Sequence, residues 1–376
     1  MRDWLAGLRA GLFHEGIALL LMGGVAALLT PTLIERAVAA GLYRDIPFEY
    51  LARDRRDDDM KVAHDLARIK GRPAPPLGVY VLGGSGMREA VESEASLEEA
   101  IREVAGLTVE AHALVSPFRT FASCIAVVDN LPEGRGVVVI GVTGERFIRD
   151  VSNAVKQLDG RSVPVKSPIL GAILQREAPE AIEQYAWLGP GFRRLYGDDT
   201  ILTGIYQYAR GYFRKRDPGL LLKGRLEPID YVVHRYEPRM EIFNKKRHRE
   251  ALLNSSHLPD PTLPRYGLHV TLLEELIALT RSKGYTPLLV EQPMDARFIG
   301  ASMEVIADSY APAVRKVARE TGVPYVETTR DLDLPSHMFG DLTHISWPEG
   351  RKRFERQVAE AIAELRLEVK GSVAPK

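Results

Sequence analysis

A serine within a glycine-rich turn is the first residue whose chemistry could serve catalysis. Ser85 lies in Gly83-Gly84-Ser85-Gly86, directly after the short apolar run Val79 to Leu82. Glycines around a serine at a strand-to-helix turn let the backbone bend sharply and expose the hydroxyl, as a nucleophile requires. A turn of this kind could instead bind phosphate at the start of the following helix.

An acid and a histidine form the second chemical feature, close to the end of the chain. Asp341 and His344 are spaced as Asp-x-x-His. A carboxylate in this position can hold the tautomer of the imidazole and stabilise its cation, while the other ring nitrogen accepts a proton from a serine. Ser346 and Glu349 have capping-box spacing around Pro348, which predicts a helix directly after the pair. On its own, an Asp-x-x-His pair could equally form an ordinary hydrogen bond at the protein surface.

Short apolar runs that alternate with helical patterns must position these residues. The runs 79–82, 137–140, 287–290 and 323–326 are too short for helices and are flanked by turn residues, so we predict four strands. Residues 305–320 have the pattern of a helix between the last two. This alternation predicts an α/β fold with a parallel sheet, helices on both faces and ligands at the carboxyl ends of the strands.

One segment near the start of the chain is long and apolar enough to cross a membrane. Gly16 to Ile34 is uncharged, and a helix of this length rises about 28 Å, close to the hydrocarbon thickness. A cleavable signal peptide ending near Ala37-Val38-Ala39 and a buried helix of a soluble protein are the alternatives. An anchor or a signal peptide places the remaining chain outside the cytoplasm.

The sequence divides into segments of different texture. Residues 1–36 form the predicted N-terminal membrane anchor, and residues 37–76 are predicted to be a charged stalk followed by a stiff, proline-rich linker. Residues 77–366 form the predicted catalytic domain, which contains an insertion at about 161–265 where the β/α alternation stops. Residues 367–376 are predicted to be a frayed tail.

The composition restricts partners and cofactors. Fifty Lys and Arg residues balance fifty Asp and Glu residues, which argues against a nucleic-acid partner. Cys124 is the single cysteine, so neither an intrachain disulfide nor a cysteine-based zinc cluster can form. We predict no metal and no cofactor, because four histidines have no metal-ligand spacing with nearby carboxylates: His234, His248, His257 and His269. Basic clusters at 214–216 and 245–249 could bind an anionic polymer or a membrane, although interspersed acidic residues favour a solvated helix face.

Together, a serine after the first strand and Asp-x-x-His before the last helix resemble the SGNH hydrolase superfamily, also called GDSL-like esterases. The resemblance covers about residues 77–160 and 268–365. The anchored start and the phrases LGGSGMREA and FGDLTHISWPEGRKRF are most similar to the membrane-anchored branch that contains the D-alanyl-lipoteichoic acid biosynthesis protein and the alginate O-acetylation proteins. The resemblance implies an SGNH-like fold of three layers, with a parallel sheet between two layers of helices. It also implies a polymer substrate and a membrane-bound O-acyltransferase as partner.

The resemblance assigns a role to each of three residues. Ser85 becomes the nucleophile, His344 its general base and Asp341 the residue that orients the base. In this superfamily the oxyanion is bound by the N–H of the serine, by a glycine N–H from a second block and by an asparagine side chain from a third.

The chain departs from the family pattern in the second and third blocks. Thr143 stands where the asparagine is expected, and either its hydroxyl or the Gly144 N–H could replace it. Ser116 lies only approximately where the glycine is expected. Loss of one donor can cost about 3 kcal/mol of transition-state stabilisation, so slow turnover is expected.

The resemblance implies an extracytoplasmic, single-pass membrane enzyme that works through an acyl-serine. It would act as an O-acetyltransferase or O-acetylesterase on a cell-envelope or exported polysaccharide. Both activities load the serine and differ only in whether a sugar hydroxyl or water attacks it, and the anchor favours transfer. The alternative is a non-catalytic assembly or polysaccharide-binding factor that kept the fold after losing the oxyanion donors.

Overall fold

A computed structural model describes residues 44, 47, 48, 58–117, 119–151, 167–179, 242–253 and 258–367. Five strands in these residues form one sheet, and every neighbouring pair is parallel. The prediction of a parallel α/β fold is therefore confirmed. The strands are β1 (Gly78–Gly83), β2 (Glu110–Val115), β3 (Gly136–Val142), β4 (Tyr285–Glu291) and β5 (Tyr325–Val326).

The order of the strands locates the functional edge of the sheet. The spatial order is β2-β1-β3-β4-β5, so successive connections run in opposite directions on the two sides of the boundary between β1 and β3. Such a switch point opens a crevice at the carboxyl ends of the strands, where ligands of doubly wound sheets bind. β1 and β3 are buried at every residue, as expected of central parallel strands with near-continuous apolar sequence.

Helices cover both faces of this sheet. On one face Tyr80, Ile140 and Leu289 belong to one apolar core, and on the other face Val79 and Val139 belong to a second. The helices are α1 (Asp58–Lys70), α2 (Ser85–Ala90), α3 (Glu94–Ala105), α4 (Phe121–Asp129), α5 (Pro168–Glu177), α6 (Ile242–Leu253), α7 (Pro264–Ser282), α8 (Ala296–Ile299), α9 (Ser302–Thr321), α10 (Thr328–Leu332) and α11 (Pro348–Glu364).

Helix α1 differs from the separate charged stalk that the sequence predicts. Met60, Val62 and Leu66 are almost completely buried, and the last two belong to the same core as Tyr80 on β1. Charged residues at the intervening positions make this apolar side, which packs on the domain, difficult to recognise in the sequence. The domain therefore begins by Asp58 rather than at residue 77.

Three further expectations concern the predicted membrane anchor, the predicted C-terminal tail and the predicted insertion. Gly16 to Ile34 lies outside the described residues, as do residues 368–376 and most of the insertion. Among the described residues no helix is both long and apolar enough to span a membrane. Helices α5 and α6, within the predicted insertion, pack on the domain through Leu170 and Leu252.

Candidate active site

Ser85 is positioned by an abrupt change from strand to helix. β1 ends at Gly83, Gly84 keeps an extended conformation, and Ser85 is the first residue of α2. The turn leaves Ser85 partly exposed at the carboxyl edge of the sheet, beside the switch point between β1 and β3. Ser85 lines a cavity of about 430 Å³ together with Asp341 and His344.

A tight loop fixes the acid and the histidine. Phe339 and Ile345 pair in an antiparallel bridge, and the Gly340 N–H donates to the His344 carbonyl at 2.9 Å. Inside this loop Asp341 Oδ1 accepts the His344 N–H at 2.9 Å. The backbone of this loop therefore holds the Asp341 carboxylate independently of its contact with the imidazole ring.

The three side chains form a continuous hydrogen-bonded relay. His344 Nε2 lies 2.8 Å from Ser85 Oγ, and His344 Nδ1 lies 2.7 Å from Asp341 Oδ2. With the proton on Nδ1, the ring donates to the carboxylate and its Nε2 accepts from the serine hydroxyl. This is the arrangement in which a histidine serves as general base toward a serine. The structure thus brings together the three residues that the sequence identifies.

The electrostatics of the relay keep its acid ionised. Burial of Asp341 opposes ionisation, but the hydrogen bond and charge of His344 and the Thr343 N–H outweigh it and hold the pKa of Asp341 below its usual value. His248 on α6 also lowers this pKa. An ionised carboxylate is what a histidine base needs to stabilise its cation.

Thr143 and Gly144 reach the cavity, whereas Ser116 does not. Thr143 and Gly144 follow β3 and line the same cavity as Ser85. Ser116 is fully buried, and its N–H donates to the Gly83 carbonyl at 3.1 Å. This hydrogen bond ties the end of β2 to the end of β1, so the backbone donor expected at Ser116 is already committed inside the fold.

Gln292 is a site residue that the sequence analysis does not identify. It directly follows β4, its N–H donates to the Val142 carbonyl at 2.8 Å, and its nearly buried side chain lines the cavity. A Cβ on Gly86 would lie 2.0 Å from its Nε2, so its carboxamide packs against the residue that follows Ser85. A polar residue directly after a buried parallel strand is the signal that could have revealed it.

Helix α6 forms a wall of the cavity and is anchored by a buried ion pair. Lys245 Nζ lies 3.1 Å from Asp295 Oδ2 and donates to the Ser336 carbonyl at 2.9 Å. His248 and Leu252 of the same helix line the cavity. The basic cluster at 245–249 therefore does not act as one solvated face, because its first residue is buried while Lys246, Arg247 and Arg249 are exposed.

The described part of the chain contains no group of three or more His, Cys, Asp or Glu residues placed to hold a metal ion. No protein-family model matches the chain, and no curated protein sequence matches it. The fold and the site define its class on their own. The chain is a doubly wound α/β protein with a Ser-His-Asp relay at the carboxyl edge of its sheet.

Proposed function

We propose that this protein is an SGNH-type serine acyltransferase or esterase. The relay from Ser85 through His344 to Asp341, which lines a cavity and has distances of 2.8 Å and 2.7 Å, is the observation that carries the proposal. Its order along the chain, serine after the first strand of the sheet and Asp-x-x-His before the last helix, adds the resemblance to this superfamily.

The chemistry follows from the hydrogen bonds. As Ser85 Oγ attacks the carbonyl carbon of an O-acyl ester, His344 Nε2 takes the serine proton and Asp341 stabilises the imidazolium. The C–O bond to the leaving alcohol then breaks, and the alcohol departs with the proton from Nε2. In the second half, a sugar hydroxyl or water attacks the acyl-serine and loses its proton to Nε2. The bond between the acyl carbon and Ser85 Oγ then breaks, and Nε2 returns the proton to Oγ, which restores Ser85.

Donors for the oxyanion come from three neighbouring strand ends. Ser85 opens α2, so its N–H has no carbonyl partner four residues back within the helix. Thr143 and Gly144 follow β3, and Gln292 follows β4. The carboxamide of Gln292, which lies against Gly86, is the donor that replaces the missing asparagine in this proposal.

The proposed setting of the reaction rests on the sequence. The uncharged stretch 16–34 serves as a single membrane anchor, and the catalytic domain lies outside the cytoplasm. The acceptor is a cell-envelope or exported polysaccharide, and a membrane-bound O-acyltransferase supplies the acyl group. Anchoring next to such a donor favours transfer over hydrolysis.

A non-catalytic polysaccharide-binding or assembly factor is the second candidate. The observation that favours it is Ser116, whose N–H is bonded to the Gly83 carbonyl rather than directed into the cavity. A protein without one oxyanion donor could retain the fold and bind polymer while turning over slowly.

A nucleophile assay separates the two candidates. The purified full chain should release 4-nitrophenol from 4-nitrophenyl acetate, and a fluorophosphonate probe should label Ser85, as located by peptide mass spectrometry. Ser85→Ala should abolish both signals. Ser282→Ala is the matched control, because this exposed serine lies just before β4 at the opposite edge of the sheet. Equal activity in Ser85→Ala would exclude the acyl-serine mechanism, and polysaccharide binding without labelling would favour the second candidate.

A further inference from the structure

The cavity around Ser85 is lined by several arginines, and two of them show what a paired guanidinium looks like at this site. Arg88 forms an ion pair with Asp58, and Arg149 pairs with Glu145 at 2.8 Å. Both of these positive charges are therefore balanced by a neighbouring carboxylate.

Arg146 lies in the same cavity and has no such counter-charge. Its side chain is 2% exposed, its Cζ lies over the Phe121 ring at 5.3 Å from the centroid, and its Nη1 lies 3.5 Å from Cys124 Sγ. Its Nη2 has no hydrogen-bond partner, and the guanidinium forms no ion pair with any carboxylate of the described residues. Burying an unpaired guanidinium is energetically unfavourable unless an anion balances its charge.

The location of Arg146 restricts which anion can reach it. Arg146 follows β3, and its Nη2 lies 3.6 Å from the position of a Cβ on Gly83, two residues before Ser85. Arg119, which is 5% exposed, lines the cavity from the loop after β2. Because β2 and β3 flank β1, the two cations follow the strands on either side of the one that leads into Ser85. Arg146 lines the cavity but is almost completely buried, so it offers no surface to a polymer chain, and only a small group held inside the cavity could lie against its guanidinium.

We propose that Arg146 binds a carboxylate carried by the acyl group, so that the site takes the half-ester of a dicarboxylic acid, such as a succinyl ester. The inference rests on the proposed function, since Ser85 must carry the acyl group. A cavity of about 430 Å³ holds far more than an acetyl group. The guanidinium matches a carboxylate through two parallel N–H donors. This distal carboxylate makes and breaks no bond during transfer.

A pair of esters that differ only in charge tests the proposal. The full chain is assayed with 4-nitrophenyl hydrogen succinate and with 4-nitrophenyl methyl succinate, and the rate with Ser85→Ala is subtracted as background. The wild-type kcat/KM should be about tenfold or more higher for the free acid, as expected for a hydrogen bond to a charged group. Arg146→Gln should remove this preference, and Arg146→Lys should retain part of it.

A matched variant separates a specific contact from the general field of the cavity. Arg149→Gln removes one positive charge from the same wall, but that charge is already paired with Glu145, so the preference for the free acid should persist. Equal preference for the two esters in the wild type would overturn the proposal without any variant. A preference that falls equally in Arg146→Gln and Arg149→Gln would also overturn it.

Binding measured without turnover distinguishes failure of this inference from failure of the proposed function. Calorimetry with monomethyl succinate should show binding to Ser85→Ala that weakens about tenfold in Ser85→Ala/Arg146→Gln. Such binding without Ser85-dependent hydrolysis would overturn the proposed function. Hydrolysis without preference for the free acid would instead overturn the assignment of an anion site to Arg146. If Arg146→Gln instead weakens binding of a uronate polysaccharide and leaves the ester preference intact, the anion belongs to the acceptor and the assignment to the acyl group is wrong.

Discussion

The carboxamide of Gln292 fills the space that a side chain at Gly86 would need. A Cβ on Gly86 would lie 2.0 Å from both Nε2 and Cδ of Gln292. Gly86 has no left-handed backbone conformation, so space rather than φ requires glycine here. Because Gly86 directly follows Ser85, this contact fixes an amide donor beside the nucleophile.

Gly86→Ala should therefore impair catalysis without impairing stability. The displaced atoms belong to the free end of a flexible side chain, which can move away at little cost, and alanine favours the helical conformation of α2 by up to about 1 kcal/mol. We expect an unchanged or slightly higher Tm and a kcat about ten- to a hundredfold lower. Steady-state hydrolysis of 4-nitrophenyl acetate and thermal unfolding measure the two effects.

Gly84→Ala is the control for this substitution. A Cβ on Gly84 meets no atom within 4 Å, although the residue is equally close to Ser85 along the chain. It should leave kcat within about threefold of the wild-type value. A comparable loss of kcat in both variants would mean that the turn itself, rather than the position of Gln292, is sensitive to added bulk.

Gln292→Glu should separate the role of the donor from that of packing. The two side chains have the same shape, but the carboxylate offers no N–H to a developing oxyanion and repels its charge. Loss of one such donor costs about 3 kcal/mol, so kcat should fall about a hundredfold or more. Thr143→Val, which removes only a hydroxyl from the same cavity, should cost less. The opposite ranking would assign the donor to Thr143, where the sequence places it.

The acid of the relay should matter less than its base. Asp341→Asn removes a carboxylate that orients and stabilises His344 without itself moving the proton, whereas His344→Ala removes the base. We expect the loss of kcat in Asp341→Asn to be about tenfold or more smaller than in His344→Ala. The double variant should be no slower than His344→Ala alone, because the three residues act as a unit. Additive losses would argue that the relay is not functional.

The elements that position the relay could be predicted because local sequence determines them. β1 and β3 are uninterrupted apolar runs bounded by glycines, and both are buried at every residue. The helix after His344 was predicted as well, although it begins at Pro348 with Trp347 as its N-cap rather than with a side-chain cap from Ser346. A proline at the first helical position suffices to start it.

The features that were missed depend on contacts between distant segments. β2 is an edge strand of mixed polarity, and its pairing with β1 is apparent only once the sheet is assembled. Helix α1 is buried because its apolar side packs into the core to which β2 also contributes. Gln292 belongs to no recognised motif, and its place beside Ser85 follows from the pairing of β4 with β3.

The membrane anchor can be tested independently of catalysis. The uncharged stretch 16–34 should keep the intact chain in the membrane fraction after washing with high salt and with carbonate at high pH. Protease added outside right-side-out vesicles should digest the domain that contains Ser85. Protection of that domain would place it in the cytoplasm, whereas a soluble product beginning near Ala40 would indicate a cleaved signal peptide.

His269 should make stability depend on pH in the acid range. It is fully buried, its Nε2 lies 2.7 Å from the Arg149 carbonyl, and burial lowers its pKa from 6.5 to about 4. The unfolded state therefore binds a proton more readily, so this stability is present above pH 6.5 and is lost as pH falls toward 4. The loss approaches about 3 kcal/mol. His269→Gln should flatten denaturant-unfolding free energies between these pH values, whereas the exposed His337→Gln should not. Identical slopes in the wild type and His269→Gln would show that His269 does not titrate in this way.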